Sequence, residues 1–360
     1  MPELSVYLAR AMDAISPKEI IQVDENYKKL LKSIGGIIIN PYKHGNQNPI
    51  EDGLTVSQLD LELLMRSDIV LVDLSIPGYQ YVGCFFEINR AGINDIPVIL
   101  VEGERDFHNR HFIQAFCEYI AKTPGDAVEY IRRAHTKNGI DEQMNEMYDY
   151  YDKIANSYKD IHSKTDTQNN TIYSQERENL RMIIKRHVKG RAFQIGIGTG
   201  DWTKTICETA DWIVGIDQSK NMIDQAREYL SSYGNIDFIH GDIFKNEISN
   251  GPFDCIVIYF LLSLLPSDMQ QRLLNIVTKI LKPGGRLIIA DTRKIRDLPF
   301  IGLGRHQLQH RRSGNQVFTL YKEHFYGNSL VKLLEKNGFK IIDANKNAVW
   351  FSWAVSYTSR

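Results

Sequence analysis

The sequence predicts an α/β protein built from two doubly wound, parallel-sheet domains in tandem, residues 1–135 and 146–360, with a linker at 136–145. Three observations carry this expectation. Strand-like apolar runs alternate with helix-like segments twice over, a pattern that builds parallel sheets covered on both faces. A chain of 360 residues is long enough for two ordinary cores. Between the two series lies a polar stretch, 135–145, with a turn signal at Asn138-Gly139.

In chain order, residues 4–9 read as the first strand, with Arg10 and Asp13 in the loop after it. Ser16-Pro17-Lys18-Glu19 starts a helix with a capping serine, a proline in the first turn and an acid. Gly35-Gly36 ends it before the strand Ile37-Ile38-Ile39, and Tyr42 to Gly53 is a long polar loop, either over a cleft or a mobile lid. Thr55–Arg66 is the next helix, Asp68–Asp73 the next strand, and Pro77-Gly78-Tyr79 breaks the chain. A helix over Cys84–Gly92, a strand over Pro97–Val101, and helices over His108–Ala121 and Asp126–Ala134 complete the first half.

Composition narrows the class. Charged residues at 24% and hydrophobic ones at 43% are those of a soluble globular protein. A net charge of −1 argues against nucleic acid as a partner, because neutralising phosphates takes a basic excess. Cys84, Cys117, Cys207 and Cys255 lie far apart with no C-x-x-C pair, as reduced thiols do in a cytoplasmic protein. No apolar run approaches a membrane-spanning length, so no membrane partner is expected.

Within the first half, several short motifs stand in order: Tyr7-Leu8-Ala9, Leu59-Asp60-Leu61, Ser67-Asp68-Ile69-Val70-Leu71-Val72-Asp73, Phe86-Glu87-Ile88-Asn89-Arg90-Ala91-Gly92 and Ile96-Pro97-Val98-Ile99-Leu100-Val101. Over about residues 3–120 this half resembles the nucleoside 2-deoxyribosyltransferase superfamily, which includes nucleotide N-glycoside hydrolases. The resemblance implies Glu87 as the nucleophile, Tyr7 as the residue orienting it, and Asp60 as an acid near sugar or base. Asp73 is either a site acid or a strand-end acid holding a loop. Cleaving an N-glycosidic bond builds positive charge on the sugar, which a carboxylate below the anomeric carbon stabilises or adds to. In isolation Glu87 would read as a solvated acid at a helix start, favoured there by the macrodipole. Two departures leave hydrolysis and transfer both open. Tyr81 stands six residues before the glutamate where transferases often carry an acid, and Arg10 and Asp13 sit out of register with the hydrolases' phosphate arginine.

In the second half the apolar run Phe193-Gln194-Ile195 leads into Gly196-Ile197-Gly198-Thr199-Gly200, a helix-like segment follows, and Asp211–Asp217 ends a second strand in a carboxylate. A strand, a side-chain-poor loop, a helix and an acid about twenty residues on suit a nucleoside-bearing cofactor lying against backbone N–H groups. Gly241-Asp242-Ile243-Phe244, Phe253–Tyr259 and Leu281-Lys282-Pro283-Gly284-Gly285 follow in order, and with them residues 145–357 resemble the class I S-adenosylmethionine-dependent methyltransferases, a Rossmann-like fold. The resemblance implies S-adenosylmethionine as cofactor, with Gln194, Gly196, Gly198, Gly200, Asp217, Gln218, Asp242, Ile243 and Tyr259 holding it. Asp217 would take the ribose and Asp242 the adenine. Gln194 departs from the acid usual there. Tyr148–Tyr158 is similar to the opening helix of such enzymes, which lies over the cofactor, whereas its aromatics at helical spacing are equally those of plain packing. A mobile polar stretch is expected over Thr165–Thr171, a basic insert over Arg293–Arg312 with His306 and His310 where an acceptor pocket is built, an amphipathic helix over 323–339, and a closing antiparallel strand over Val349–Tyr357. His306, His310 and His324 lack metal-ligand spacing, so no metal is expected; one of them would serve as a base toward a hydroxyl acceptor.

The combined expectation is a cytoplasmic, bifunctional enzyme of nucleoside or nucleotide metabolism. It pairs N-glycosidic cleavage (or deoxyribosyl transfer) with methylation of a small molecule, and a homodimer is a possible assembly. The alternatives are a methyltransferase regulated by a non-catalytic nucleotide-sensing first half, and a nucleic-acid methyltransferase.

Overall fold

The computed structural model describes residues 3–10, 16–41, 53–76, 81–94, 96–158, 171–292, 306–323, 325, 329–346 and 350–358. The expectations for Asp13, the 42–52 loop, Pro77–Tyr79, residues 159–170, Arg293–Arg296 and His324 lie outside these residues, as does the side chain of His306. The chain divides into two compact units, Met1–Glu142 with Phe300–Gln307, and Gln143–Pro299 with Leu308–Arg360.

The first unit holds strands β1 (Leu4–Arg10), β2 (Gly36–Ile39), β3 (Ile69–Asp73), β4 (Val98–Val101) and β5 (Tyr119–Ala121). They form one all-parallel sheet in the order β2-β1-β3-β4-β5. β3 and β4 are buried at every position, as expected of apolar runs covered on both faces. Helices α1 (Pro17–Lys32), α2 (Gly53–Met65), α3 (Val82–Ile93), α4 (His111–Phe116) and α5 (Pro124–His135) connect them. Ser16 and Glu19 close a capping box at the start of α1, and Thr123 and Asp126 do the same for α5. Val72, Leu74, Ile88, Leu100 and their neighbours make the core.

Two sequence expectations are corrected here. His108–Ala121 is not one helix: Arg110 and Cys117 are both extended, so α4 is only six residues long and the chain re-enters the sheet as β5. Residues 137–154 form a continuous helix, α6 (Lys137–Ile154), through the stretch expected as a linker. Gly139 marks a close approach rather than a turn, since a Cβ there would lie 2.1 Å from the Arg132 carbonyl. The Gly139 N–H donates instead to the Thr136 hydroxyl at 3.2 Å.

The second unit holds β6 (Arg191–Ile195), β7 (Trp212–Asp217), β8 (Ile236–His240), β9 (Phe253–Tyr259), β10 (Leu281–Thr292), β13 (Phe339–Lys346) and β14 (Trp350–Tyr357), with the hairpin strands β11 (His306–Ser313) and β12 (Gln316–Glu323) between β10 and β13. The seven-stranded sheet runs β13-β14-β10-β9-β6-β7-β8. β14 is antiparallel to both β10 and β13, as the closing strand was expected to be, and the other pairings are parallel. The strand order reverses between β6 and β9, where open α/β sheets form a crevice at their carboxyl ends. Helices α7 (Thr171–His187), α8 (Asp201–Cys207), α9 (Lys220–Tyr229), α10 (Ser267–Ile280) and α11 (Ser329–Lys336) complete this unit. The described part of the basic insert, 306–312, is not a loop but lies in β11 of the β11–β12 hairpin, turned at Gly314 with φ +59°. The expected 323–339 helix shortens to α11, and Phe339 already begins β13.

Candidate functional site

In the first unit, Tyr7 lies on buried β1 and Glu87 in the interior of α3, not at its start, so a helix-end charge effect does not account for it. The Tyr7 hydroxyl donates to Glu87 Oε1 at 2.5 Å. Burial, with help from the Asp60 carboxylate, pushes Glu87 up to about 7, against the opposing pull of Tyr7, Arg10 and Cys84. Burial also raises Asp60, half-buried on α2, and drives the Tyr7 phenol far above its usual range. Tyr7, Glu87 and Asp60 are thereby brought together. Asp73 is differently engaged: its buried carboxylate accepts from the Tyr27 hydroxyl at 2.7 Å and from the Ser75 N–H at 2.8 Å. Arg10 is held in a buried ion pair with Asp24 at 2.5 Å.

In the second unit, the loop after β6 carries Gly196, Gly198 and Gly200 at φ +75°, +54° and +85°, a backbone that L side chains rarely adopt. A Cβ at Gly198 would meet nothing within 4 Å among the described residues, whereas at Gly200 it would lie 3.0 Å from Leu230. Asp217 ends β7 beside this loop. Its carboxylate accepts from the Gly198 N–H at 2.8 Å and the Ser219 N–H at 3.0 Å. Burial raises its pKa, opposed by the Ser219, Gly198 and Gln218 N–H groups. The Gln218 carbonyl is bonded to His240 at 3.0 Å. Asp242 begins the turn after β8, where Oδ1 accepts from the Phe244 N–H at 2.8 Å and Ile243 is buried beside it. Gln194 is buried and accepts from the Thr203 hydroxyl at 2.8 Å, so its carbonyl ties β6 to α8. Tyr259 ends β9 with its ring edge-on to Trp202, and its buried hydroxyl has no partner among the described residues.

These positions share the carboxyl-end crevice of the sheet with a loop open to a ligand's approach, an acid at the next strand's tip and a second acid one strand further. Residues 192–285 match the family described as a methyltransferase domain. This segment is a methyltransferase domain. Demethylmenaquinone methyltransferase of Staphylococcus aureus (strain MRSA252) is 29% identical over 149 residues, 39% of this chain and 61% of that protein. Its counterpart in strain JH9 gives the same figures. The chain thus spans about three-fifths of the length of the curated relatives it matches. A solved DhpI–SAH complex superposes with a TM-score of 0.50 at 17% identity, covering 61% of this chain and 99% of that one, a likeness of fold.

The second unit also brings together residues that the sequence did not single out. Asp152 of α6 accepts from the Ser219 hydroxyl at 2.6 Å and from the Asn221 side chain at 2.8 Å, docking α6 onto the start of α9. Ser219 caps α9 through the Met222 N–H at 3.0 Å. Glu146 accepts from the Thr319 N–H at 2.5 Å, and Tyr150 packs against Phe318, so α6 also meets β12. Tyr151 and Tyr158 face one another at 6.3 Å, and burial pushes Tyr158 up to about 12. At the end of β10 the fully buried Asp291 accepts from the Ser263 N–H at 2.8 Å, with Lys322 at 3.6 Å. Lys322 also donates to the Ser263 hydroxyl. Only the aromatic spacing of 148–158 hinted at the packing of α6 against these elements. Of the basic insert, His310 is bonded to Thr319 at 3.2 Å and Arg311 to Gln309 at 2.9 Å. Among the described residues no group of acids, histidines and cysteines is arranged to hold a metal, and no helix is long and apolar enough to cross a membrane.

Proposed function

We propose that the second unit transfers a methyl group from S-adenosylmethionine to a small-molecule acceptor. The observation that carries this reading is Asp217. Both its oxygens are aligned by backbone N–H groups and it stands beside a glycine whose Cβ side is open, which fits a ribose diol laid over the loop. The Gly196, Gly198 and Gly200 backbone leaves room for the nucleoside and methionine portions, Asp242 and Ile243 flank the adenine, and Gln218 lies next to the ribose acid. Gln194 holds the loop's entry through Thr203 rather than reaching the ligand, while Tyr259, with its unpaired hydroxyl, borders the reacting end. The cofactor supplies an activated methyl group, and the chain aligns, desolvates and encloses. Burial under α6 and the hairpin excludes water from the compartment that Tyr151 and Tyr158 border. Calorimetric titration of the full chain with S-adenosylmethionine and S-adenosylhomocysteine tests this. Micromolar or tighter binding, lost in Asp217→Ala, is expected, and equal binding by that variant refutes it.

A second reading concerns the first unit. It is a further doubly wound domain that cleaves N-glycosidic bonds of nucleosides or nucleotides, and the chain is then bifunctional. The Tyr7–Glu87 hydrogen bond supports it, because a carboxylate oriented by a phenol and sharing its surroundings with Asp60 suits stabilisation of an oxocarbenium-like sugar. The strand order β2-β1-β3-β4-β5 is one that doubly wound sheets adopt. Release of free base from a nucleoside and nucleotide panel, absent in Glu87→Ala, is the expected result. No release by the intact chain, with or without S-adenosylmethionine, leaves the first unit as a binding module.

A further inference from the structure

At the opposite end of the second unit's sheet, a cleft of about 250 Å³ opens where α7 ends and β9 and β10 begin. Its walls include His187, Lys189, Asp254, Lys282, Gly284 and Arg286, three cations against one carboxylate. Lys282 is occupied by Asp254 at 2.6 Å, and Asp254 also accepts from the Arg191 N–H at 2.9 Å. Among the described residues the other two cations have no ion-pair partner. Lys189 makes no side-chain hydrogen bond or ion pair among the described residues. Arg286 donates to His187 Nδ1 at 3.2 Å, and His187 Nε2 is bonded to Asp343 at 2.7 Å. That second bond places the imidazole proton on Nε2 and leaves Nδ1 to accept, so Arg286 is oriented without being paired to a charge. Gly284, at φ +75°, has nothing among the described residues within 4 Å of where a Cβ would stand, which keeps one wall open.

We propose that this cleft is a binding site for a phosphate group of a small soluble anion. An oriented guanidinium beside a mobile ammonium is the pairing that phosphate oxygens favour, the fork giving geometry and the lysine a point charge. Tyr259 and Asp291 lie at the far ends of the same two strands, so the site is separate from the methyl-transfer crevice and does not rest on that reading. Of the Leu281–Gly285 motif singled out in the sequence, Lys282 through Gly285 line this cleft.

Titrating inorganic pyrophosphate and inorganic phosphate into the full chain at low ionic strength, followed by phosphorus NMR and calorimetry, tests the proposal. Saturable binding at one site is expected, at least about tenfold weaker in Lys189→Ala and in Arg286→Gln, and unchanged in Lys340→Ala, an exposed lysine outside the cleft. Lys189 is exposed, so its variant keeps the fold even if Arg286→Gln does not. Amine labelling of Lys189, read by mass spectrometry, slows when pyrophosphate is bound. Binding identical in wild type and Lys189→Ala, or no saturable binding at all, overturns the site. Capture of phosphatidic acid vesicles without any response to pyrophosphate overturns the soluble ligand.

Discussion

Replacing Gly198 by alanine separates the cost to the fold from the cost to the ligand. The residue sits at φ +54°, where an L side chain costs about 1–2 kcal/mol. A Cβ there meets no described atom within 4 Å, so no clash adds to that figure. For a unit of this size about 1–2 kcal/mol lowers the melting temperature by roughly 2–8 °C. The added methyl nevertheless points into the space assigned to the nucleoside, and at least about tenfold weaker binding of S-adenosylmethionine follows, about 1.4 kcal/mol. Thermal unfolding with and without S-adenosylmethionine reads both effects. Ligand at a hundred times the wild-type Kd stabilises by about 2.7 kcal/mol, and a tenfold weaker site halves that gain. Gly200→Ala is the contrast, because its Cβ meets buried Leu230 at 3.0 Å and overpacking adds about 1–3 kcal/mol to the strain. A Gly198→Ala protein that melts as expected yet keeps the full ligand-induced rise refutes the cradle.

Glu87 ties the first unit's stability to pH. Its pKa of about 7 lies above the unfolded 4.5, so between those values the folded chain holds the extra proton. Stability is therefore highest below that window and falls as pH rises through it, by at most about 3 kcal/mol. Urea unfolding of Glu87→Gln loses that slope, and an unchanged slope refutes the buried carboxylate. Tyr7→Phe removes the hydrogen bond that holds Glu87 down, so the pH at which base release turns on moves upward; a profile that stays put contradicts the pairing. Lys322→Met leaves buried Asp291 with uncharged donors alone and costs about 3 kcal/mol or more by chemical denaturation, whereas a neutral result shows the ion pair to be dispensable.

The glycine loop and the acid at the strand tip were legible because backbone conformation and position on the strand are local demands, met by Gly198 and Asp217 within one strand–loop–helix–strand unit. Glu87 was legible only through its neighbours, since one acid on a helix is indistinguishable by pattern from a solvated one. What escaped notice depends on partners distant in the chain. Asp152 gains meaning only from Ser219, and Lys322 only from Asp291 and Ser263. β5 is three residues long, too short for an alternation to register, and Gly139 resembled a turn because a glycine that admits a neighbouring carbonyl has the same letter as one that bends the chain.

Ser219 links three things with a single residue. Its N–H steadies the Asp217 carboxylate, its hydroxyl anchors Asp152, and the same oxygen receives the first turn of α9. Residence time is the quantity this junction would set if Asp217 holds a nucleoside as proposed. On the proposed reading, a nucleoside resting on Asp217 shares Ser219 with the docking of α6, so its departure is coupled to that contact as well as to ligand contacts. Ser219→Ala then quickens both entry and exit and moves the equilibrium constant far less than either rate.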